Sequence, residues 1–162
     1  MVVTARMSRR AIPVWCFALT VVKKGHRFLL VHERKHGERW YLPAGRLELG
    51  EDFFAAARRE TLEESGIPIE LEGILRIEHT PGADGSARMR VVFLARPADD
   101  RPPKSTADAE SLEARWVTLD ELDALPLRGE EVRLLFEDVL AGAPVYPVSL
   151  LQAEGRRLLP QP

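Results

Sequence analysis

The sequence predicts a single α/β domain in which a β-sheet is covered by helices on both faces. Its 162 residues are enough for one domain with one hydrophobic core, and 45% hydrophobic with 30% charged residues is an ordinary globular composition. Short β-rich runs recur along the chain, and two segments carry a helical pattern instead. A chain that combines several strands with two helices is typical of a helix-covered sheet.

The strands are predicted from runs that are rich in β-branched and aromatic residues. Residues 14–22 and 27–32 are two such runs, and the Lys23–His26 segment between them has the composition of a hairpin turn, with Gly25 at positive φ. Three further strands are expected over residues 69–78, 88–96 and 112–118. The last two are joined by a polar, proline-bearing loop, PADDRPPKSTADAES, which is long enough to form a functional lid or rim.

The first helix is predicted over residues 51–65. Glu51 and Asp52 favour its N-terminal end, because acidic side chains are stabilised by the positive end of the helix dipole. Gly66, followed closely by Pro68, stops the helix, since glycine accepts the left-handed conformation that ends many helices and proline cannot continue one. Both ends of this helix are therefore defined by the sequence.

The second helix is predicted from about residue 129 to residue 141. Its apolar residues recur at helical spacing and form one core-facing stripe: Val132, Leu135, Phe136, Val139 and Leu140. Gly142 and Pro144 end the helix. We therefore expect a domain over residues 13–142, with an N-terminal extension over 1–12 and a C-terminal tail over 143–162.

Charge and cysteine content narrow the function classes. The formal net charge is −2, and the 19 arginines among the 23 cationic residues are interleaved with acids, so a nucleic acid polymer is not an expected partner. The chain has a single cysteine, which excludes a disulfide framework or a Cys-based zinc site. This residue, Cys16, lies in an apolar run and is expected to be buried. No signal peptide or membrane span is visible, so we expect a cytoplasmic protein without a membrane partner.

The first helix carries three glutamates whose spacing is unfavourable for the helix itself. Glu60, Glu63 and Glu64 stand at i, i+3 and i+4, so their carboxylates share one face and border the packed side of the helix. Like charges at this spacing repel, and these lie toward the negative end of the helix dipole. Clustered carboxylate oxygens suit Mg²⁺ or Mn²⁺, which would compensate the repulsion. Taken alone, the helix is also explained as a solvated acidic face.

Further residues stand at fixed intervals around these glutamates: Gly45, Glu51, Arg59, Glu60, Glu63, Glu64, Gly66 and Ile67. Together they resemble the Nudix box, a motif that starts at a glycine, continues through Arg-Glu and Glu-Glu pairs, and ends at a glycine and an apolar residue. The one departure is Thr61 at the first apolar position, which affects packing more than chemistry. Upstream, the segment Trp40–Gly45 resembles the strand and turn that precede the box in this family.

The resemblance implies an α/β/α sandwich in which a mixed β-sheet lies between helices. It also implies hydrolysis of a phosphoanhydride bond in a small-molecule nucleotide substrate of the nucleoside-diphosphate type. By the same resemblance a divalent metal, Mg²⁺ or Mn²⁺, is ligated by Glu60, Glu63 and Glu64 together with the Gly45 carbonyl. These are the expected fold, activity and metal site.

Hydrolysis at phosphorus requires an activated water molecule and cations that support in-line attack. The resemblance leaves two candidates for the general base, Glu63 and a carboxylate from another loop, because Nudix enzymes differ on this point. Glu110, which precedes the predicted strand at 112–118, is our candidate for the second, with a solvated loop glutamate as the alternative. Arg59 is expected to pair with an acid such as Glu51 and to hold the geometry of helix and loop.

A subgroup of the Nudix family, which includes phosphatases of 8-oxoguanine nucleoside diphosphates, is most similar to this chain in four segments: WYLPAGRLELGE, VVFLARP, DAESLEARW and LPLRGEE. A second similar group is the bacterial phosphatase NudJ type. Both imply a diphosphate substrate that loses one phosphate. The enzymatic alternative is an ADP-ribose or nucleotide-sugar pyrophosphatase, which the position of Pro81 after Gly66 favours. A nucleotide-binding sensor without turnover is a further alternative, and the sequence leaves both monomer and homodimer open.

Candidate substrate-binding residues follow from side-chain chemistry. Trp40 offers a ring for a base, and Glu130 and Glu131 offer carboxylates that accept hydrogen bonds from purine donors. A packed position for Trp40 and a helix N-terminal role for the two glutamates are the alternatives. Arg34 and Arg46 are candidates for phosphate binding, since a guanidinium group matches phosphate oxygens.

Overall fold

The computed structural model describes residues 10–158. Its strands are β1 (Val14–Lys24), β2 (Arg27–Glu33), β3 (Trp40–Tyr41), β4 (Ala44–Arg46), β5 (Ile69–Pro81), β6 (Ala87–Pro97) and β7 (Ser111–Val117). Its α-helices are α1 (Phe53–Ser65) and α2 (Glu131–Leu140), and two short 3₁₀ segments cover Asp120–Ala124 and Val148–Leu150. Most of the predicted N-terminal extension lies outside the described residues.

The strands form one sheet in the order β3-β2-β1-β6-β5, with β4 also paired to β1 and β7 to β2. The central strands β1 and β6 run parallel, from Val14 opposite Ala87 to Val22 opposite Ala95. The other strand pairs are antiparallel. The mixed sheet predicted from the sequence is therefore confirmed.

The two helices cover opposite faces of this sheet. Val92 and Phe93 are neighbours on β6, so their side chains point to opposite faces, and each enters a different core cluster. On the Val92 side, Phe136 of α2 stacks on Phe28 of β2 with ring centroids 4.0 Å apart. On the Phe93 side, the small side chain of Ala57 brings α1 close to the sheet. The predicted α/β/α sandwich is confirmed.

Helix α1 begins two residues later than the sequence predicts. The Asp52 carboxylate accepts a hydrogen bond from the Ala55 backbone N–H at 2.8 Å, which makes Asp52 the N-cap. Glu51 therefore lies outside the helix, where its side chain binds Arg59. The C-terminal end agrees with the prediction, because Gly66 takes the left-handed conformation with φ 75°.

The five strands predicted from residue composition are present, and the structure has two further short ones, β3 and β4, of which β3 lies in the Trp40–Gly45 segment that resembles the strand and turn before the box. Neither has more than three residues, which is too short to show the alternation on which a strand prediction depends. Helix α2 also lies where it is predicted, and Gly142 follows it with φ 85°. In the part of the chain that the structure describes, no helix is both long and apolar enough to cross a membrane.

The segment predicted to be a C-terminal tail packs against the edge strand β5. Backbone hydrogen bonds join Ile74 and Tyr146 in both directions, each with an N···O distance of 2.8 Å. Gly73 makes this approach possible, because a Cβ there would lie 2.3 Å from Val145 Cγ1 and 2.7 Å from the Tyr146 carbonyl oxygen. The predicted domain boundary at residue 142 thus separates the sheet from residues that contact β5 and form hydrogen bonds with its edge backbone.

Replacing Gly73 with alanine is expected to lower the free energy of unfolding by about 1–3 kcal/mol, because the added methyl group would overlap Val145 and the Tyr146 carbonyl. Thermal unfolding measures the difference. Gly129→Ala is the matched control, since a Cβ there would meet only Glu131 Cγ, at 3.8 Å. In a chain that ends at residue 143 the effect of Gly73→Ala should largely disappear, and an undiminished effect would show that the tail is not its cause.

Candidate active site

A cavity of about 650 Å³ brings residues from distant parts of the chain together. Its walls come from β1, β2, β3, β4, β6, α1 and α2, and from the segments that follow β2 and precede α2 and β7. Apart from histidine, five of the lining side chains are basic and five are acidic, the latter including Glu60 and Glu64 of α1. A cavity with this composition is suited to a ligand that is itself strongly charged.

Glu64 is held on the cavity wall by the backbone of β4, at its first residue. Its Oε2 accepts a hydrogen bond from the Ala44 backbone N–H at 3.0 Å. Burial raises the pKa of its carboxyl group to about 8, and the Glu60, Glu33 and Glu110 carboxylates act in the same direction, whereas the hydrogen bond from Ala44 opposes them. The protein thus keeps an ionisable oxygen ligand where its negative charge is not compensated.

Glu60 lies directly against the backbone of β4 at Gly45. A Cβ at Gly45 would lie 1.9 Å from the Glu60 carboxyl carbon, so only glycine leaves room for this carboxylate. Burial raises the pKa of Glu60, although its ion pair with Arg59 at 2.7 Å acts in the opposite direction. Two of the four predicted metal-binding positions are therefore in direct contact.

Arg59 joins the loop before α1 to the acidic face of the helix. Its Nε and Nη2 donate to the two carboxylate oxygens of Glu51, each at 2.8 Å, and Nη2 also donates to the Arg46 carbonyl at 3.2 Å. Its Nη1 donates to Glu60 at 2.7 Å and to Glu63 at 3.1 Å. The hydrogen bonds from Arg59 hold the pKa of Glu51 at about 2. The guanidinium group thus fixes the loop relative to the helix.

The two candidates for the general base occupy different positions. Glu63 has 44% of its side chain exposed and does not line the cavity. Glu110 does line the cavity, at the end of the loop that precedes β7. The Asp108 carboxylate accepts hydrogen bonds from the backbone N–H groups of Glu110 and Ser111, at 2.9 and 3.1 Å, and so fixes this turn. Of the two candidates, Glu110 is the one that faces the cavity.

The loop predicted to be a lid or rim lies beside the C-terminal end of α1. Lys104 donates through its backbone to the Ser65 carbonyl and through Nζ to the Glu63 carbonyl, both at 2.8 Å. Ser111 Oγ donates to the Glu64 carbonyl at 2.6 Å. These contacts satisfy carbonyl groups that the end of a helix leaves without partners. They also tie the loop to the helix that carries the glutamates.

The donor set on this wall fits a divalent cation of the Mg²⁺ type, because such ions prefer carboxylate oxygens. Burial of Glu60 and Glu64 favours a nearby positive charge. In the described part of the chain no three acidic, histidine or cysteine side chains form a ready metal cage, and Arg59 binds both Glu60 and Glu63. Of the predicted ligands, Gly45, Glu60 and Glu64 line the cavity and Glu63 does not.

A second group of cavity residues forms a polar network that no local sequence pattern indicates. Glu131 of α2 accepts hydrogen bonds from Tyr41 Oη and, at 2.8 Å, from Arg90 Nη2. Arg128 lies over the Tyr41 ring, 4.6 Å from its centroid, and pairs with Glu33 at 2.8 Å. Burial and the hydrogen bond to Glu131 both raise the pKa of Tyr41, so its hydroxyl group stays protonated. The partners belong to separate elements, and only the fold brings them together.

Two of the predicted substrate-binding residues, Arg46 and Glu131, line the cavity. The Glu131 carboxylate is already engaged by Tyr41 and Arg90, so it is not free to accept from a base without giving up these contacts. Among residues 10–158 the Arg46 side chain has no hydrogen-bond or ion-pair partner, and its guanidinium group lies over the ring of Trp15, 4.8 Å from the centroid. Arg46 is therefore the more available of the two.

The other predicted substrate-binding residues, Trp40, Arg34 and Glu130, do not line the cavity. Trp40 is only 4% exposed and stacks on His32 with ring centroids 4.8 Å apart, which places it in the core instead of against a base. Arg34 Nε donates to the Asp108 carbonyl at 2.7 Å. Glu130 is exposed at the N-cap of α2. The structure thus favours the packed alternative for Trp40.

The fold is an α/β/α sandwich in which glutamates of one helix lie beside an arginine-lined cavity. This combination defines a class of proteins that is suited to binding divalent cations and phosphate groups. The chain belongs to the NUDIX family, since the family model described as NUDIX domain matches residues 11–137. The match starts just before β1 and ends within α2, so it covers all seven strands, all of α1 and most of α2.

Individual relatives agree with this assignment. Over 112 residues the chain is 43% identical to the human 8-oxo-dGDP phosphatase NUDT18, a match that covers 67% of this chain and 33% of that protein. It is 32% identical over 106 residues to phosphatase NudJ of Escherichia coli O1:K1 / APEC, covering 63% of this chain and 67% of NudJ. A solved NUDIX hydrolase from Nitrosomonas europaea superposes with a TM-score of 0.71 and 31% identity, covering 87% of this chain and 97% of that one. The chain spans about a third of the length of NUDT18.

Glu64→Gln is expected to stabilise the metal-free protein at neutral and alkaline pH. In the wild type the unfolded carboxyl group ionises near 4.5 and the folded one near 8, so wild-type stability falls as the pH rises between these values. The amide has no such cost and can still accept the hydrogen bond from Ala44. We expect a gain on the order of 1–3 kcal/mol at pH 8 and little difference at pH 4.

Thermal unfolding in EDTA across this pH range measures the effect, with Glu48→Gln as the control on an exposed glutamate. Millimolar Mg²⁺ should narrow or reverse the difference, because the wild type gains more from a cation that binds only its folded state. A variant that is clearly less stable than the wild type in EDTA at pH 8 would show that the Glu64 carboxylate is a structural partner of its neighbours.

Proposed function

We propose that this protein uses a divalent metal ion, Mg²⁺ or Mn²⁺, to hydrolyse a phosphoanhydride bond in a nucleotide of the nucleoside-diphosphate type. The observation that carries the proposal is Glu64, a buried carboxylate on the cavity wall whose charge the protein alone does not compensate. A cation beside Glu64 and phosphate oxygens beside the cavity arginines would complement both parts of the cavity. Relatives named as phosphatases and hydrolases support it.

The acidic wall would hold the metal. Glu60 and Glu64 would supply carboxylate oxygens, with the Gly45 backbone beside them and Glu63 as the further candidate on the same helix. When bound, such a cation neutralises phosphate oxygens and lowers the pKa of water. Arg59 does not line the cavity, so we assign it a positioning role, in which it keeps the helix and the loop in register.

The remaining cavity residues would act on the substrate and the water molecule. Glu110 faces the cavity and would take a proton from the attacking water as general base, with Glu63 as the alternative base. Water oxygen then forms a bond to phosphorus as the anhydride P–O bond breaks. Arg46, Arg88 and Arg128 line the same cavity and would bind the phosphate oxygens on which negative charge accumulates.

For the substrate we propose an oxidised purine nucleoside diphosphate, converted to a monophosphate and inorganic phosphate. The proposal rests on the 43% identity to a human protein named 8-oxo-dGDP phosphatase, and on the 32% identity to a protein named phosphatase NudJ. A nucleotide-sugar or ADP-ribose substrate is the alternative that the following experiment separates.

Purified protein with Mg²⁺ is expected to release phosphate directly from 8-oxo-dGDP. The panel contains 8-oxo-dGDP, dGDP, the matching triphosphates, ADP-ribose and a thiamine-precursor diphosphate, each assayed for phosphate with and without inorganic pyrophosphatase or alkaline phosphatase. Phosphate that appears only after alkaline phosphatase acts on released monophosphates would favour a nucleotide-sugar pyrophosphatase. Binding without turnover of any member would contradict the hydrolase proposal and indicate a sensor.

Glu63→Gln and Glu64→Gln are each expected to lower kcat by about a thousandfold, because loss of a metal-bound carboxylate removes roughly 4 kcal/mol of transition-state stabilisation. Steady-state kinetics on the best substrate measure the change, with Glu48→Gln as the exposed control. Rates within tenfold of the wild type for both would remove these residues from the metal site.

In the same assay Glu110→Gln should lower kcat and leave the dependence on Mg²⁺ concentration nearly unchanged. A normal rate would exclude Glu110 as the base.

A further inference from the structure

Two arginines of the cavity are each stacked on an aromatic ring of β1. Arg46 of β4 lies over the Trp15 ring with its guanidinium carbon 4.8 Å from the centroid. Arg88 of β6 lies over the Phe17 ring at 4.9 Å. Trp15 and Phe17 are two residues apart on one strand, so their side chains leave the same face of the sheet. The four side chains form one group, which we call the aromatic–arginine quartet.

The register of the sheet explains how the quartet is built. Arg46 is the backbone partner of Phe17, and Arg88 is the backbone partner of Trp15. Each arginine therefore leans across to the ring two residues away from its own partner. Diagonal neighbours on adjacent strands are within reach of long side chains such as arginine. The two arginines approach β1 from opposite sides and cross over its aromatic residues.

These arginines differ from the other cavity arginines in their charge balance. Arg90 pairs with Glu131 and Glu78, and Arg128 pairs with Glu33. Among residues 10–158, neither Arg46 nor Arg88 forms an ion pair with a carboxylate. Both side chains nevertheless line the cavity. The quartet therefore presents two positive charges that lack a partner within the described protein.

We propose that Trp15 and Phe17 are positioning residues that hold the guanidinium groups of Arg46 and Arg88 in place to bind a phosphate of the substrate. A long arginine side chain loses rotamer freedom when it binds an anion, and stacking on a ring restrains it beforehand. The planar edges of the guanidinium groups remain free to donate to phosphate oxygens. Trp15 is 49% exposed, so its ring lies at the surface, with the Arg46 guanidinium group stacked over it.

This inference rests on the proposed function only for the identity of the ligand as a nucleotide. It predicts that binding at the quartet depends on the negative charge of the phosphate, whereas recognition of the base would not depend on that charge. The quartet should distinguish a nucleoside monophosphate from the same nucleoside without phosphate. It should do so in the absence of divalent metal, because none of its four members belongs to the carboxylate wall.

The test is calorimetric binding of dGMP and of deoxyguanosine to the full chain in EDTA at low salt. Arg46→Gln and Arg88→Gln are each expected to weaken dGMP binding by about tenfold and leave deoxyguanosine binding unchanged. Trp15→Leu and Phe17→Leu should weaken dGMP binding by about two- to fivefold, the range that exposed cation–π contacts support. Trp15→Phe and Phe17→Tyr keep a ring and should restore binding to within twofold of the wild type.

The matched control is Arg115→Gln, since Arg115 stacks on Trp40 in the same manner, 5.0 Å from the ring centroid, but does not line the cavity. Thermal unfolding checks that each variant is folded. If Phe17→Leu does not fold, Trp15→Leu still tests the proposal, because Trp15 is exposed and its replacement should not disturb the core.

Several results would overturn the proposal: no binding of dGMP by the wild type, normal binding by Trp15→Leu, or equal loss of dGMP and deoxyguanosine binding. The last would show that the ring contacts the base itself. Selective dGMP binding without turnover of any nucleotide in the panel would contradict the hydrolase proposal and leave this one intact.

Discussion

The arrangement of the site depends on one guanidinium group, that of Arg59. Helix α1 carries glutamates at i, i+3 and i+4 near its C-terminal end, an arrangement that repels itself and opposes the helix dipole. Arg59 lies within hydrogen-bond distance of Glu60 and Glu63 and binds Glu51 with two parallel hydrogen bonds. Because its side chain is only 22% exposed, these contacts are less screened than those of a surface pair. One residue thus offsets the repulsion on the helix and fixes the loop that approaches it.

Arg59 pairs with Glu60 and Glu63 but does not compensate the charge of Glu64. Glutamates on one helix therefore differ in whether the protein itself balances their charge. Among the residues that the structure describes, Glu64 forms no ion pair, and its one side-chain hydrogen bond comes from a backbone N–H. Burial of a carboxylate without a cation destabilises the folded protein. A protein selected for stability alone would place an apolar residue there, so the position indicates a ligand that supplies the missing charge.

The sequence contains much of this fold because the signals for its elements are local. Asp52 and Gly66 set the ends of α1, and the stripe that includes Phe136 sets α2. The acidic wall was predictable for the same reason, since helical spacing alone places Glu60 and Glu64 together. The fate of Trp40 was not, because its burial depends on the pairing of β3 with β2 and on stacking against His32.

The basic side of the cavity depends even more on long-range pairing. Arg88 meets Phe17 only because β1 and β6 run parallel in one register, although about seventy residues separate them in the chain. Arg128 reaches Tyr41 and Glu33 only when the segment before α2 folds back against β3. A list of arginines in the sequence cannot distinguish these from Arg34, whose side chain binds the loop carbonyl of Asp108. Such contacts follow from the topology of the sheet.

The cavity lies where the core on the α2 side of the sheet gives way to exposed side chains. Leu19 and Val21 of β1 belong to this core, but the beginning of β1 is not covered, so Trp15 is half exposed and Phe17 is partly exposed. On the parallel strand the same change occurs between Val92, which is buried, and Arg88, which is exposed. The side chains on this open part of the sheet face must therefore tolerate water. Aromatic rings with arginines stacked on them meet that requirement, and they keep positive charge close to the acidic wall.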